Sequence, residues 1–177
     1  MPIKFSATLT QGRLTTGPHR LPSMLLELQG IVGNLRPFWV GEFLPRYQEE
    51  IAQNFETEGE FSGVVSGWPE LSPQYAAWKS RHFPTAKILE RTRRLRNSLT
   101  PGAGAFDSGN SRDTVMQAGP TSLRFGTRVR YARYHTEKRP FMPRVRAKQW
   151  HPIILDWLKK RAQEKGFELA SNLRFAR

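Results

Sequence analysis

Ile3, Phe5, Ala7 and Leu9 alternate with polar residues, the period of two expected of a half-buried strand. Residues 11–22 break the pattern with glycines, threonines and prolines and read as a flexible arm. A period near four then takes over. It predicts a helix over about Ser23–Ile31, closed near Gly33, and a longer one from about Pro37 with Phe43, Tyr47, Ile51 and Phe55 on a single face. Pro45 lies inside that longer helix, where it removes an amide donor and crowds a carbonyl one turn back, so a kink or break is expected there. Residues 63–67, with a glycine at each end of a short segment containing a Val-Val pair, read as a turn.

In Trp68-Pro69 followed by Ser72-Pro73, a hydroxyl suited to cap free helical amides precedes a proline suited to the first turn, so a helix starts there. Tyr75 and Trp78 share one face of it, Lys79 and Arg81 point toward solvent or a partner, and Pro84 stops it. Ile88, Leu89, Leu95 and Leu99 then anchor a second short amphipathic helix. Its other face carries Arg91, Arg93, Arg94 and Arg96, with only Glu90 nearby to compensate. Such a face repels itself unless something acidic meets it, and it reads equally well as a solvated surface.

Residues 101–111 are Gly, Ala, Ser and Asn in the main and predict a flexible loop. Thr114–Ala118 and Ser122–Thr127, separated by Gly119-Pro120, predict an antiparallel hairpin. A short helical turn is expected over Tyr131–His135. A last helix is expected over about Ala147–Lys165, striped by Trp150, Ile154, Trp157, Leu158 and Ala162 and ended by Gly166. The whole, residues 1–177, reads as one α+β domain: several helices packed on a small antiparallel sheet, with extended loops or arms. The expected core includes Trp68, Tyr75, Trp78, Leu89, Leu95, Leu99, Trp150 and Trp157.

Composition narrows the function. A chain of 177 residues with 38% hydrophobic side chains can build one real core. The absence of cysteine excludes disulfides, thiolate metal sites and cysteine nucleophiles. No apolar run approaches the roughly 20 residues of a membrane span, and no signal peptide is expected. The net charge of +13 is unevenly placed, since Lys79–Lys148 holds 17 basic and 4 acidic residues and Met1–Trp78 holds 5 and 8. A field of this kind favours a polyanion or an acidic protein surface.

Candidate chemistry is sparse. The 4 histidines stand singly, and none has a second histidine or carboxylate at metal-ligand spacing. Gly102-Ala-Gly104 lacks the lysine and the strand-to-helix setting of a phosphate loop. Glu90, Asp107, Asp113 and Glu137 are too dispersed for an acid/base pair. No catalytic residue, metal or cofactor is expected. Arg139-Pro140-Phe141-Met142-Pro143 sets a guanidinium beside an apolar wedge on a stiffened backbone, which suits an interface anchor, while Phe141 and Met142 equally suit a core plug.

The order and spacing of these segments resemble the phage virion morphogenesis proteins, the family of tail-completion and neck proteins of tailed bacteriophages. The resemblance rests on Trp68-Pro-x-Leu71-Ser72-x-x-Tyr75 with its trailing Lys79, and on Ile88-Leu89-x-x-Thr92 leading to Leu95-x-x-Ser98-Leu99. Gly126-Thr127 with Tyr131-Ala132 and His135, and then Arg139-Pro140-Phe141-Met142, complete it over roughly Trp68–Met142. The chain departs from the pattern at Thr92-Arg93-Arg94-Leu95, where the family has Thr-Gly-x-Leu, and it lacks a glycine between His135 and Arg139.

The resemblance implies a non-enzymatic virion protein, assembled in the host cytoplasm into the neck. There it would complete the tail and join it to the filled head as a ring, six-fold by the same resemblance, around the DNA channel. The implied partners are further copies of the chain, head connector or adaptor proteins, tail tube or terminator proteins, and genomic DNA through non-specific contact, with no membrane. The residues expected to touch partner or DNA are Arg91, Arg93, Arg94, Arg96, Arg128, Arg130, Arg133, Arg139 and Phe141. The competing reading is a free nucleic-acid-binding protein that uses the basic central region, with Tyr131, Tyr134 and Phe141 available to stack on bases. Against it, the sequence contains no helix-turn-helix or zinc finger.

Overall fold

The computed structural model describes residues 21–62, 67–100 and 112–165. The strand expected at Ile3–Leu9, most of the 11–22 arm, the 101–111 loop and the stop at Gly166 lie outside them. At the end of the supposed arm, Leu21 and Pro22 instead open helix α1, Leu21–Gly33.

Next comes a helical run in three parts: α2 (Arg36–Phe38), a π-helical turn over Trp39–Phe43, and α3 (Leu44–Glu56). The irregularity expected from Pro45 is thus a widened turn just before it. The Leu44 amide reaches back to the Trp39 carbonyl, and the proline, which has no amide to donate, falls in the first turn of α3 where none is needed. The predicted stripe is buried: Ile51 and Phe55 are fully enclosed, Phe43 and Tyr47 nearly so, and Leu44, outside the predicted stripe, is enclosed as well. Side chains of this size each contribute about 1.5–3 kcal/mol when buried.

Helix α4 (Pro73–His82) starts after Ser72, but the Ser72 side chain makes no capping hydrogen bond. The amphipathic helix expected across residues 88–99 shrinks to α5, Arg94–Asn97, preceded by turns. The reason is backbone conformation. Leu89 (φ 64°) and Arg93 (φ 53°) both stand in the left-handed region and interrupt any right-handed helix. Arg93 occupies the position that is glycine in the resembled family, and it adopts the conformation glycine tolerates best.

The hairpin follows expectation. β1 (Thr114–Ala118) pairs antiparallel with β2 (Leu123–Thr127) in a two-stranded sheet, Met116 opposite Phe125, and the turn is closed by the Gly119 amide on the Ser122 carbonyl at 2.8 Å. The short α6 (Ala132–His135) and the long α7 (Ala147–Glu164) complete a mixed α+β fold, helices packed against a small antiparallel sheet.

One core joins these elements. Phe43 of the π-turn meets Trp150 of α7 with ring centroids 4.3 Å apart, and Phe38 meets Trp157 at 5.6 Å. Phe55 stands edge-on to Trp68 at 5.4 Å and also contacts Phe141, while Tyr47 reaches Phe125 of β2. Trp68, Leu95, Leu99, Trp150 and Trp157 are buried as expected, and Leu89 is partly buried against the same cluster. Tyr75 and Trp78 correct the expectation. Both remain well exposed and stack on each other, and the residue of α4 that is buried is Lys79.

Candidate functional site

The C-terminal end of α3 collects the segments that carry the resemblance. The Trp68 amide donates to the Glu58 carbonyl at 2.6 Å, the Ile88 amide to the Glu58 carboxylate at 2.7 Å, and Lys87 Nζ to the Glu56 carbonyl at 2.7 Å. From the other side, the amide nitrogen of the fully buried Asn54 donates to the carbonyls of Pro140 (3.0 Å) and Phe141 (3.1 Å). Trp68 Nε1 also donates to the Pro140 carbonyl, at 3.3 Å. Arg139 closes the arrangement. Its Nε and Nη2 donate to the Pro69 carbonyl at 3.0 and 2.7 Å, and Nη2 also to that of Glu70 at 3.0 Å. Blocks about 70 residues apart in sequence are thereby held as one unit.

Between them opens a cleft of about 510 Å³, lined by Leu71, Ser72, Tyr75 and Lys79 from the start and face of α4, by Leu89, Arg91 and Thr92, and by Tyr131, His135 and Arg139. Ser72, Tyr75 and Lys79 arrive together because they recur at helical spacing, and Tyr131 and His135 likewise lie four apart across α6. Lys79, expected to point outward, is only 5% exposed, and its ammonium donates to the Lys87 carbonyl at 2.5 Å. Burial pushes its pKa down, opposed by the more distant charges of Glu58 and Glu90. His135 is also held below the ordinary imidazole range, first by burial and then by the neighbouring Arg139. On the outer side of α4, Tyr75, Trp78 and His82 stack in sequence at 5.6 and 4.8 Å.

A second, more open cleft of about 690 Å³ shares α6 and runs along Arg128, Arg130 and Arg133 to Pro140–Met142. These three arginines are exposed. The Arg133 guanidinium lies 4.7 Å over the ring of Tyr134, itself 65% exposed.

The basic set around α5 is less available than its sequence suggests. Glu90 is not its only counter-charge. Arg94 makes a two-point pair with Asp113 at 2.5 and 2.8 Å, and Arg96 bridges Glu56 (3.0 Å) and the buried Glu90 (2.9 Å). Asp113 is held below the usual carboxylate range by the hydrogen bond from Arg94. Arg93 stands 3.8 Å from Glu90, with most of its side chain exposed. Arg91 projects into the smaller cleft. Phe141, expected as a contact, is 4% exposed and packs on Phe55, so it acts as a plug of its own core. Arg139 serves as a clamp on the Pro69–Glu70 backbone as well as a cleft wall.

Sequence reasoning missed Lys79 as a buried cation and Asn54 as a polar rivet. No local pattern in α4 marked the first. An Asn inside the apolar Ile51–Phe55 turn was the signal for the second. Among the described residues no group of histidine and carboxylate side chains could hold a metal ion, and no helix is long and apolar enough to cross a membrane. No family model, curated protein or solved structure matches this chain.

Proposed function

We propose that this chain is a structural protein of the neck of a tailed bacteriophage, which completes the tail and joins it to the DNA-filled head as a ring around the DNA channel. The protein does this by docking, without chemistry of its own. The observation that carries the reading is that residues from each of the four resembling segments, among them Tyr75, Lys79, Leu89, Thr92, Tyr131 and Arg139, line one cleft. A set of motif residues gathered on one surface is what a docking role requires, whereas scattered matches would serve only the core. The cleft bearing Arg128, Arg130 and Arg133 supplies a cationic face for acidic partners or for the genome.

With Arg94 and Arg96 already paired inside the chain, the arginines of the expected contact set most open to a partner are Arg91, Arg128, Arg130 and Arg133, with Arg93 next in its looser pair with Glu90. The joint variant Arg128→Glu/Arg130→Glu should fold as the parent does and fail to co-sediment with tail tubes. Co-sedimentation at the parental level would refute the role of this face.

The second reading, a free nucleic-acid-binding protein, draws on a single feature: the exposed Tyr134 ring beside Arg133, an arrangement suited to stacking on a base. It predicts tight binding to single-stranded DNA by a protein that ignores tail tubes.

A further inference from the structure

We infer that the smaller cleft is a receptor for an acidic peptide segment of a partner protein, in which a carboxylate side chain alternates with an apolar one. The inference deepens the assembly reading by naming the chemistry of the partner, and it rests on that reading only for the partner's place in a virion.

Three observations carry it. The first is the sign of the lining. Lys79, Arg91 and Arg139 contribute cations, and no Asp or Glu lines the cleft. The acids nearest in charge to Lys79 are engaged elsewhere, Glu58 by the Ile88 amide and Glu90 by Arg96.

The second is the state of Lys79. The residue is 5% exposed, and its ammonium donates one hydrogen bond to a neutral carbonyl and takes part in none of the ion pairs among the described residues. An ammonium has three donors, and Glu58 and Glu90 act on this one only through space, without a direct ion pair, so its burial is only partly compensated. A carboxylate entering the cleft relieves that cost, and Arg91 at the rim, whose guanidinium has no protein partner among the described residues, supplies a second contact.

The third is the character of the walls. Leu71, Leu89 and the rings of Tyr75 and Tyr131 offer apolar surface between the cations. Aromatic side chains together with arginine are typical of energetically dominant protein contacts. A volume of about 510 Å³ accepts a few side chains. The recessed Lys79 is reached by a carboxylate on a side chain. It is poorly placed for the backbone phosphates of a nucleic acid, which are better met by exposed arginines such as those of the larger cleft.

The test uses the isotopically labelled full chain and a short peptide of alternating aspartate and leucine, followed by NMR titration. Three probes are compared: this peptide, the same peptide with asparagine for aspartate, and oligothymidylate. The expected result is saturable binding of the acidic peptide, with shifts centred on Leu71, Leu89 and Tyr131, and binding of the asparagine peptide weaker by about tenfold or more, the equivalent of about 1.4 kcal/mol. Arg91→Glu should weaken the acidic peptide by at least about tenfold, while Lys160→Glu, the same charge change on the exposed side of α7, should leave it within about twofold. Because Arg91 has no hydrogen-bond or ion-pair partner among the described residues, its variant should retain the parental melting temperature.

The inference is overturned by equal affinity for both peptides, by absence of saturable binding, or by equal losses in the two variants. It is equally overturned if oligothymidylate produces the same shifts with the same dependence on Arg91. No virion component enters this test. Peptide binding by a chain that never assembles would leave the cleft assignment standing and remove the neck reading, and assembly without peptide binding would do the reverse.

Discussion

Replacing Asn54 by alanine probes the joint on which the fold and the candidate site both depend. The side chain is fully buried, and its amide nitrogen serves the Pro140 carbonyl at 3.0 Å and the Phe141 carbonyl at 3.1 Å. The variant loses at least these two hydrogen bonds, with net contributions of about 1 kcal/mol each, and it leaves the Phe141 carbonyl without this donor, which costs about 1–3 kcal/mol. Pro140 is cushioned because Trp68 Nε1 still donates to it at 3.3 Å. The expected loss is therefore about 2–4 kcal/mol, a large share of the roughly 5–15 kcal/mol that holds a domain of this size. Urea unfolding followed by the fluorescence of the buried Trp68, Trp150 and Trp157 should show the midpoint falling by about 1–2 M at unchanged slope. Trp68→Phe should cost more in the Asn54→Ala background than in the parent, since the Pro140 carbonyl then loses both of its donors among the described residues. A midpoint shift below about 0.3 M, or strict additivity of the two changes, would refute the reasoning.

Other substitutions test other parts of the account. Arg96→Ala strips the buried Glu90 carboxylate of its closest cation and should destabilise the fold by about 3 kcal/mol, with Glu90→Gln in the same chain recovering much of the loss in urea unfolding. Arg94→Ala removes only the exposed pair with Asp113 and should leave the midpoint nearly unchanged, as a double-mutant cycle with Asp113→Ala can measure. At Gly59 (φ 100°) an added methyl would overlap the Trp68 indole, so Gly59→Ala should cost about 2–5 kcal/mol by denaturant unfolding. His135 is held below its ordinary range in the folded chain, so the unfolded chain takes up the proton first. Stability is then full above about pH 6.5 and declines as pH falls through that value toward the folded pKa, and His135→Gln should flatten this limb of the stability profile.

Periodic burial was legible in the sequence, and conformational exceptions were not. The α3 stripe, the Trp150-to-Ala162 face of α7 and the Gly119-Pro120 hairpin each repeat one local rule over several residues, and each is found at nearly the expected bounds. The 88–99 segment shows where that logic stops. Its leucines satisfy a helical period, yet Leu89 and Arg93 turn left-handed because tertiary contacts, such as the Ile88 amide on Glu58 and Arg96 on Glu56, fix the chain in turns. The arginines of this segment looked uncompensated because Glu56 and Asp113 reach them only through the fold. Tyr75 and Trp78 looked like core for their size, but the helix buries Lys79 instead, and an aromatic's neighbours in space cannot be counted from its neighbours in sequence. The members of the cleft were each named in the sequence, and the folded backbone was needed to bring Tyr75, Arg91 and His135 to one surface.

The most direct test of the neck proposal is the mass of the purified full chain in solution, by light scattering across a range of salt, alone, with a short DNA duplex and with tail tubes. The proposal predicts a discrete ring-sized species formed without DNA, or a monomer that assembles only when tail tubes are added. A monomer or dimer that binds DNA tightly and ignores tail tubes would contradict it.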